Sequence, residues 1–146
     1  MALCGFMAAC GMCLGNVLIN EVELSPPDNA SMWVELYNPG NETVDLAGWT
    51  VKIEDKPWAG LIPLSGTIGP GEFRVGEGQT AWPDIGNGTV TLYDSKGDIV
   101  DRTPLLSDSS HTDFTYGRLQ GKENADSKAD FAFMFASKGR PNMRIG

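Results

Sequence analysis

"MWVELYNPGNETVDLAGW", from Met32 to Trp49, is the stretch whose reading decides the fold. It holds two short apolar-alternating runs around a turn at Asn38-Pro39-Gly40. Side chains alternate faces along a strand, so Trp33, Glu35 and Tyr37 share one face and Val34 and Leu36 the other. One of these faces must carry more of the core. Pro39 presets φ for the second turn position, and Gly40 offers the positive φ that a type II turn needs at the third. The following run, residues 44–54, reads as the next strand, with Trp49, Val51 and Ile53 in phase.

The same grammar continues in both directions. "NVLINEVEL" (residues 16–24) is rich in β-branched residues, and its alternation shifts near Asn20-Glu21, which marks a bulge. "SPPDNAS" is a loop, since paired prolines cannot donate to a ladder. "GLIPL" and "EFRV" flank "SGTIGPG", where Gly69-Pro70-Gly71 repeats the Pro-Gly turn chemistry. "TVTLYD" and "DIVDRT" are joined through Ser95-Lys96-Gly97, a short hairpin loop with a glycine for the left-handed position. "FTYGRL" and "FAFMF" are the last strands, separated by the polar loop "QGKENADSKAD". No amphipathic helix is found after Asn16. About eight or nine short strands, punctuated by Gly, Pro, Asn and Asp, predict an all-β antiparallel sandwich.

Length and charge bound the function. The chain has 146 residues, which suits one domain, and a formal net charge of -8. Acidity repels phosphate backbones, and the basic residues Lys52, Lys56, Arg74, Arg102 and Arg118 are scattered, which argues against a nucleic-acid partner. All three cysteines, Cys4, Cys10 and Cys13, precede Asn16, so the folded part has no disulfide framework.

Residues 1–15 form an apolar leader, and the domain is taken as residues 16–146. The run "MALCGFMAACGMCL" is uncharged. It is shorter than the ~20 apolar residues a membrane-spanning helix needs, but its length matches a signal-peptide apolar region of roughly 7–15 residues. "MAAC" resembles a lipobox ending at Cys10, a candidate lipidation site, although Met7 stands where Leu is usual. Contact with a membrane is therefore expected only through an N-terminal lipid or the leader. "CGMC" is also a C-x-x-C, but redox or zinc chemistry would need a partner motif that the chain does not supply.

The opening blocks resemble the lamin tail domain family. Ile19-Asn20-Glu21-Val22 stands for its I-N-E-[VI] element. Trp33-Val34-Glu35-Leu36-Tyr37-Asn38-Pro39-Gly40 stands for its W-[VI]-E-[LI]-Y-N-P-G block. Val44-Asp45-Leu46-Ala47-Gly48-Trp49 stands for V-D-L-S-G-W, with Ala47 in place of Ser. "TIGPGEFRV", "VTLYDSKGDIVDRT", "YGRL" and "ASKGRPN" resemble later elements, with Lys138 where Pro is usual. The resemblance runs from about Val17 to Asn142 and implies an immunoglobulin-like sandwich. In it, Asn20, Glu21, Trp33, Glu35, Tyr37, Asn38, Pro39, Gly40, Asp45, Gly48 and Trp49 are framework residues. No heptad run precedes Val17, and no prenylation box ends the chain, so a stand-alone prokaryotic-type member is expected rather than a lamin.

Sites of chemistry are few. His111 is the only histidine, and its neighbours Ser109, Ser110 and Asp113 are adjacent in sequence, unlike triad members, which converge from distant segments. "LLSDSSHTDF" is read as a polar loop. No catalytic residue and no cofactor is assigned. A structural calcium ion is the one metal considered, on Asp94, Asp98 and Asp101, although Asp is common beside tight turns for other reasons. Three N-x-[ST] sequons, at Asn29, Asn41 and Asn87, fall in predicted turns and are candidate glycosylation sites in an exported chain. The resemblance implies a non-catalytic interaction or structural module of the cell envelope or extracellular space, with a protein or envelope polysaccharide as partner. The alternative is an accessory docking or substrate-binding domain working with a secreted nuclease or other hydrolase.

Overall fold

The computed structural model describes residues 17–119 and 130–142. Cys10 and most of the polar run before "FAFMF" lie outside them. Among the described residues the regular elements are twelve strands. They are β1 (Leu18–Glu23), β2 (Trp33–Tyr37), β3 (Val44–Asp45), β4 (Thr50–Asp55), β5 (Trp58–Pro63), β6 (Thr67–Ile68), β7 (Phe73–Glu77), β8 (Asn87–Tyr93), β9 (Ile99–Arg102), β10 (Leu106–Ser107), β11 (Phe114–Arg118) and β12 (Phe131–Phe135). Three are two-residue pieces, leaving nine of ordinary length, in line with the sequence reading.

All pairings are antiparallel. One sheet runs β9-β8-β4-β5, with β10 also on β8, and the other runs β12-β11-β1-β2-β7. The pair β3-β6 forms a small third sheet. The two large sheets share one apolar core, so the molecule is an immunoglobulin-like β-sandwich. Ile19, Val22, Val34 and Leu36 face Val51, Ile53, Val90 and Leu92, and Leu46 and Ile68 of the small sheet's neighbourhood join them. Val34 and Leu36 thus carry the core face of β2. The bulge predicted near Asn20-Glu21 is present as a register shift between Ile19 and Glu21 against β2.

Two local expectations are corrected. Residues 44–54 are not one strand: the chain turns between β3 and β4, where Gly48 takes φ +79° and Trp49 N–H donates to Leu46 O at 3.0 Å. Gly40 is not among the glycines of positive φ. The Asn38 side chain closes that turn instead, its Oδ1 accepting the Gly40 N–H at 2.9 Å. A side chain that mimics a backbone turn removes the need for a left-handed residue. The second Pro-Gly turn does behave as predicted, with Gly71 at φ +73° and Glu72 N–H donating to Gly69 O.

Candidate functional site

The motif's polar side chains are built into the fold. Asn38 is buried and fully engaged. Its Nδ2 donates to Glu42 O (2.8 Å) and Ile68 O (3.0 Å), its N–H donates to Glu72 O, and its carbonyl accepts from Gly71 N–H. One amide therefore ties its own turn to the neighbouring Pro-Gly turn. Asp45 caps the next turn, its Oδ1 accepting Ala47 N–H at 3.0 Å.

The carboxylates Glu21 and Glu35 stand on the sheet face away from the core, yet both are fully buried. What covers them is the segment after β12, residues 136–142. Glu21 accepts from Ser137 N–H (2.8 Å), Ser137 Oγ (2.8 Å) and Thr115 Oγ1 (2.6 Å). Glu35 accepts from Gly139 N–H and from Asn20 Nδ2 (3.1 Å). Asn20 and Asn142 exchange amide bonds, and Asn142 Nδ2 also donates to Asn20 O and Arg118 O. The two ends of the sequence resemblance, "INEV…WVELY" and "ASKGRPN", are thus two halves of one clamp. Lys138 sits with Nζ 4.9 Å from the Trp33 ring and 3.5 Å from Glu77 Oε2. A cation over an indole is attractive, which gives this departure from the family pattern a role.

A second polar link joins the sheets. Arg118 of β11 and Asp101 of β9 form a buried ion pair at 2.8 Å. Asp101 Oδ2 also accepts Ile19 N–H (2.8 Å), and Arg118 Nε donates to Ile19 O (2.9 Å), so the pair grips the backbone beside the β1 bulge. Asp101 therefore faces inward, while Asp94 Oδ1 accepts Lys96 and Asp98 N–H in the hairpin turn. The three aspartates do not converge, and no group of three metal-ligating side chains is found among the described residues.

His111 is exposed at φ 53°, and its N–H donates to Ser25 Oγ. Ser110 Oγ pairs with Thr112 Oγ1 instead of the imidazole. Asn29, Asn41 and Asn87 are all exposed. Asn87 differs from expectation in opening β8, where its Oδ1 accepts from Ser107 Oγ at 2.7 Å.

An open cleft of about 580 Å³ lies beside the clamp, bordered by Glu23, Trp33, Glu77, Asp113, Lys138 and Arg140 among others. It mixes both signs of charge. Glu23 is buried, and that burial pushes its carboxyl up to about 8 against the opposing Ser25 N–H, with Asp108 and Asp113 adding to the rise. Glu35 is raised to about 7, again chiefly by burial, with the Gly139 N–H opposing. Glu23 Oε1 accepts the Ser25 N–H at 2.9 Å. Structural networks perturb acids as catalytic sites do, and Glu35 is enclosed by its own partners.

The sequence reading missed Thr115, Ser137 and Asn142 as partners of the motif, and also the aromatic cluster of the last strands. That cluster had a signal: Phe131, Phe133 and Phe135 alternate strictly in "FAFMF". Phe133 and Phe135 are exposed by 37% and 55%. Phe133 lies 5.2 Å from Tyr116 and 5.4 Å from Phe114.

Comparison with known families gives one match: the model of the Lamin Tail Domain covers residues 13–105. No curated protein matches the chain. The matched residues stop before β10, so β10, β11, β12 and the segment that closes the clamp all follow them.

Proposed function

The chain belongs to the lamin tail domain family, and from that premise we propose that it is a non-catalytic interaction module of the cell envelope or extracellular space. The observation that carries this reading is the inward use of its polar motif. Glu21, Glu35, Asn38, Asp101 and Arg118 are committed to backbone and side-chain partners within the fold. Groups so committed hold a scaffold in place, and recognition then falls to surfaces the motif does not occupy. The exposed rings of Phe133 and Phe135 supply such a surface, since large exposed aromatics mark contact sites.

The envelope placement is supported by the uncharged apolar run before Asn16 and by the exposure of Asn29, Asn41 and Asn87. Intact mass of the protein from its native cells tests it. Loss of the leader, lipid on Cys10 or glycan on a sequon is expected. A full-length unmodified mass with three free thiols would overturn the placement and leave the module reading to be judged by its partners.

The accessory reading, a docking or substrate-binding part of a secreted hydrolase, draws support from the polar cleft beside Trp33. A cleft of mixed charge suits a hydroxyl-rich polysaccharide better than DNA, because Glu77 and Asp113 offset Lys138 and Arg140. Envelope polysaccharide retained by the wild type and not by a Trp33→Ala variant of unchanged fold would favour it.

A further inference from the structure

Asp108 lines an open hollow of about 290 Å³ with Ser107, Ser109, Ser110, Tyr116 and Phe133. The aspartate is only 5% exposed. Its N–H donates to Gly86 O, and its Oδ1 accepts Ser110 N–H at 2.9 Å, so its position is fixed. Its Oδ2 is buried and has no hydrogen-bond partner among the described residues. A buried carboxylate oxygen left without a donor costs free energy, so it calls for a partner or a compensating gain. None of the side chains bordering the hollow is basic. Two aromatic rings, Tyr116 and Phe133, form part of its wall, and aromatic faces attract cations. The chain as a whole is acidic, at -8. A positively charged donor would complete the bonding of this oxygen.

The backbone beside the hollow says how such a group would be delivered. β12 is an edge of its sheet among the described residues. Leu119 N–H donates to Asp130 O and Ala136 N–H to Asp113 O, which makes 119/130 and 113/136 the hydrogen-bonded pairs of the β11–β12 ladder. Such pairs alternate, so Phe114/Phe135, Tyr116/Phe133 and Arg118/Phe131 are the non-bonded pairs. The N–H and C=O groups of Phe131, Phe133 and Phe135 therefore point away from β11, toward the open edge. A residue of an added strand that bonds to Phe133 puts its own side chain on the Phe133 face of the sheet, where the hollow lies.

We propose that the β12 edge accepts an extended segment of a partner protein by strand addition, with a Lys or Arg side chain of that segment seated in the hollow against Tyr116 and Phe133 and bonded to Asp108 Oδ2. This rests on the interaction-module reading and names its surface and the chemistry of its partner. Main-chain bonds to the edge supply affinity, and the hollow supplies selection for a basic residue.

The test uses the full chain and a short labelled peptide alternating valine and lysine, read by fluorescence anisotropy. The peptide binds saturably, and the same peptide with glutamate for lysine does not. Methylating the lysine backbone nitrogens, which face the edge when lysine enters the hollow, weakens binding by about tenfold or more, whereas methylating the valine nitrogens does not. Asp108→Asn keeps the bond from Ser110, melts no lower than the wild type, and weakens the lysine peptide by about tenfold or more. No binding of the lysine peptide, equal loss from both methylation patterns, or unchanged affinity in Asp108→Asn would overturn the proposal. A partner cross-linked in native cells at another face would overturn the β12 site alone and leave the module reading intact.

Discussion

Replacing Asp101 by Asn removes one charge from the link between the sheets and leaves its shape. Asp101 Oδ2 accepts both Arg118 Nη2 and Ile19 N–H at 2.8 Å, and Arg118 reaches back to Ile19 O. Both side chains of the pair are almost wholly buried, at 2% and 7% exposure. In the variant the guanidinium stays buried and loses the charge of the Asp101 carboxylate. Breaking such a pair from one side costs about 3–5 kcal/mol, against a total stability of roughly 5–15 kcal/mol for a domain. With a urea slope of about 2 kcal/mol/M, the unfolding midpoint falls by about 2 M, and the melting temperature by about 10 °C or more. Tryptophan fluorescence across a urea titration reads the midpoint directly. An unfolding free energy for Asp101→Asn within about 0.5 kcal/mol of wild type would refute the reasoning.

Three further outcomes are expected. Glu23 and Glu35 titrate near 8 and 7 in the folded protein against an ordinary 4.5, so the folded state binds more protons across that window. Stability is then greatest at its acid side and falls as pH rises through both values. Urea midpoints should be lower at pH 8.5 than at pH 5.5 by an amount that shrinks in Glu23→Gln, and a midpoint rising over this range would contradict the burial argument. A Cβ at Gly60 would lie 2.7 Å from the Trp82 ring and 2.8 Å from the Trp58 ring, so Gly60→Ala is expected to lower stability by about 1–3 kcal/mol, read by thermal melting. In a glycosylating host, Asn29 and Asn41 should carry glycan ahead of Asn87, whose side chain is bonded to Ser107 on a paired strand; glycopeptide mapping with Asn87 fully occupied would refute that order.

The fold was legible because its signals are local. Alternation in "WVELY" and "TVTLY", the shift at Asn20-Glu21, and the glycines of the Gly69–Gly71 turn and the Ser95–Gly97 loop each act within a few residues. In the opening motif Trp33 is buried and the Tyr37 ring lies 4.9 Å from that of Phe73. The motif's mechanism was not legible. Glu21 meets Ser137 and Glu35 meets Gly139, partners more than a hundred positions away, and nothing local to "NEVE" or "VEL" names them. The Asn38 turn misled because a side chain replaced the backbone device that Pro-Gly normally signals. The unpartnered oxygen of Asp108 was invisible for the opposite reason: in "SDSS" an aspartate looks like ordinary loop chemistry, and its burial arises only in the folded chain.

That the opening motif works inward, as the seat of the C-terminal clamp, is tested most directly by native-state amide exchange at Ser137 and Gly139. These two N–H groups are bonded to the buried carboxylates of Glu21 and Glu35. Protection well above that of a free loop is expected at both, lost at Ser137 in Glu21→Ala and at Gly139 in Glu35→Ala. Exchange at the rate of an open loop in the wild-type protein would contradict the clamp and turn the motif back into a candidate surface for a ligand.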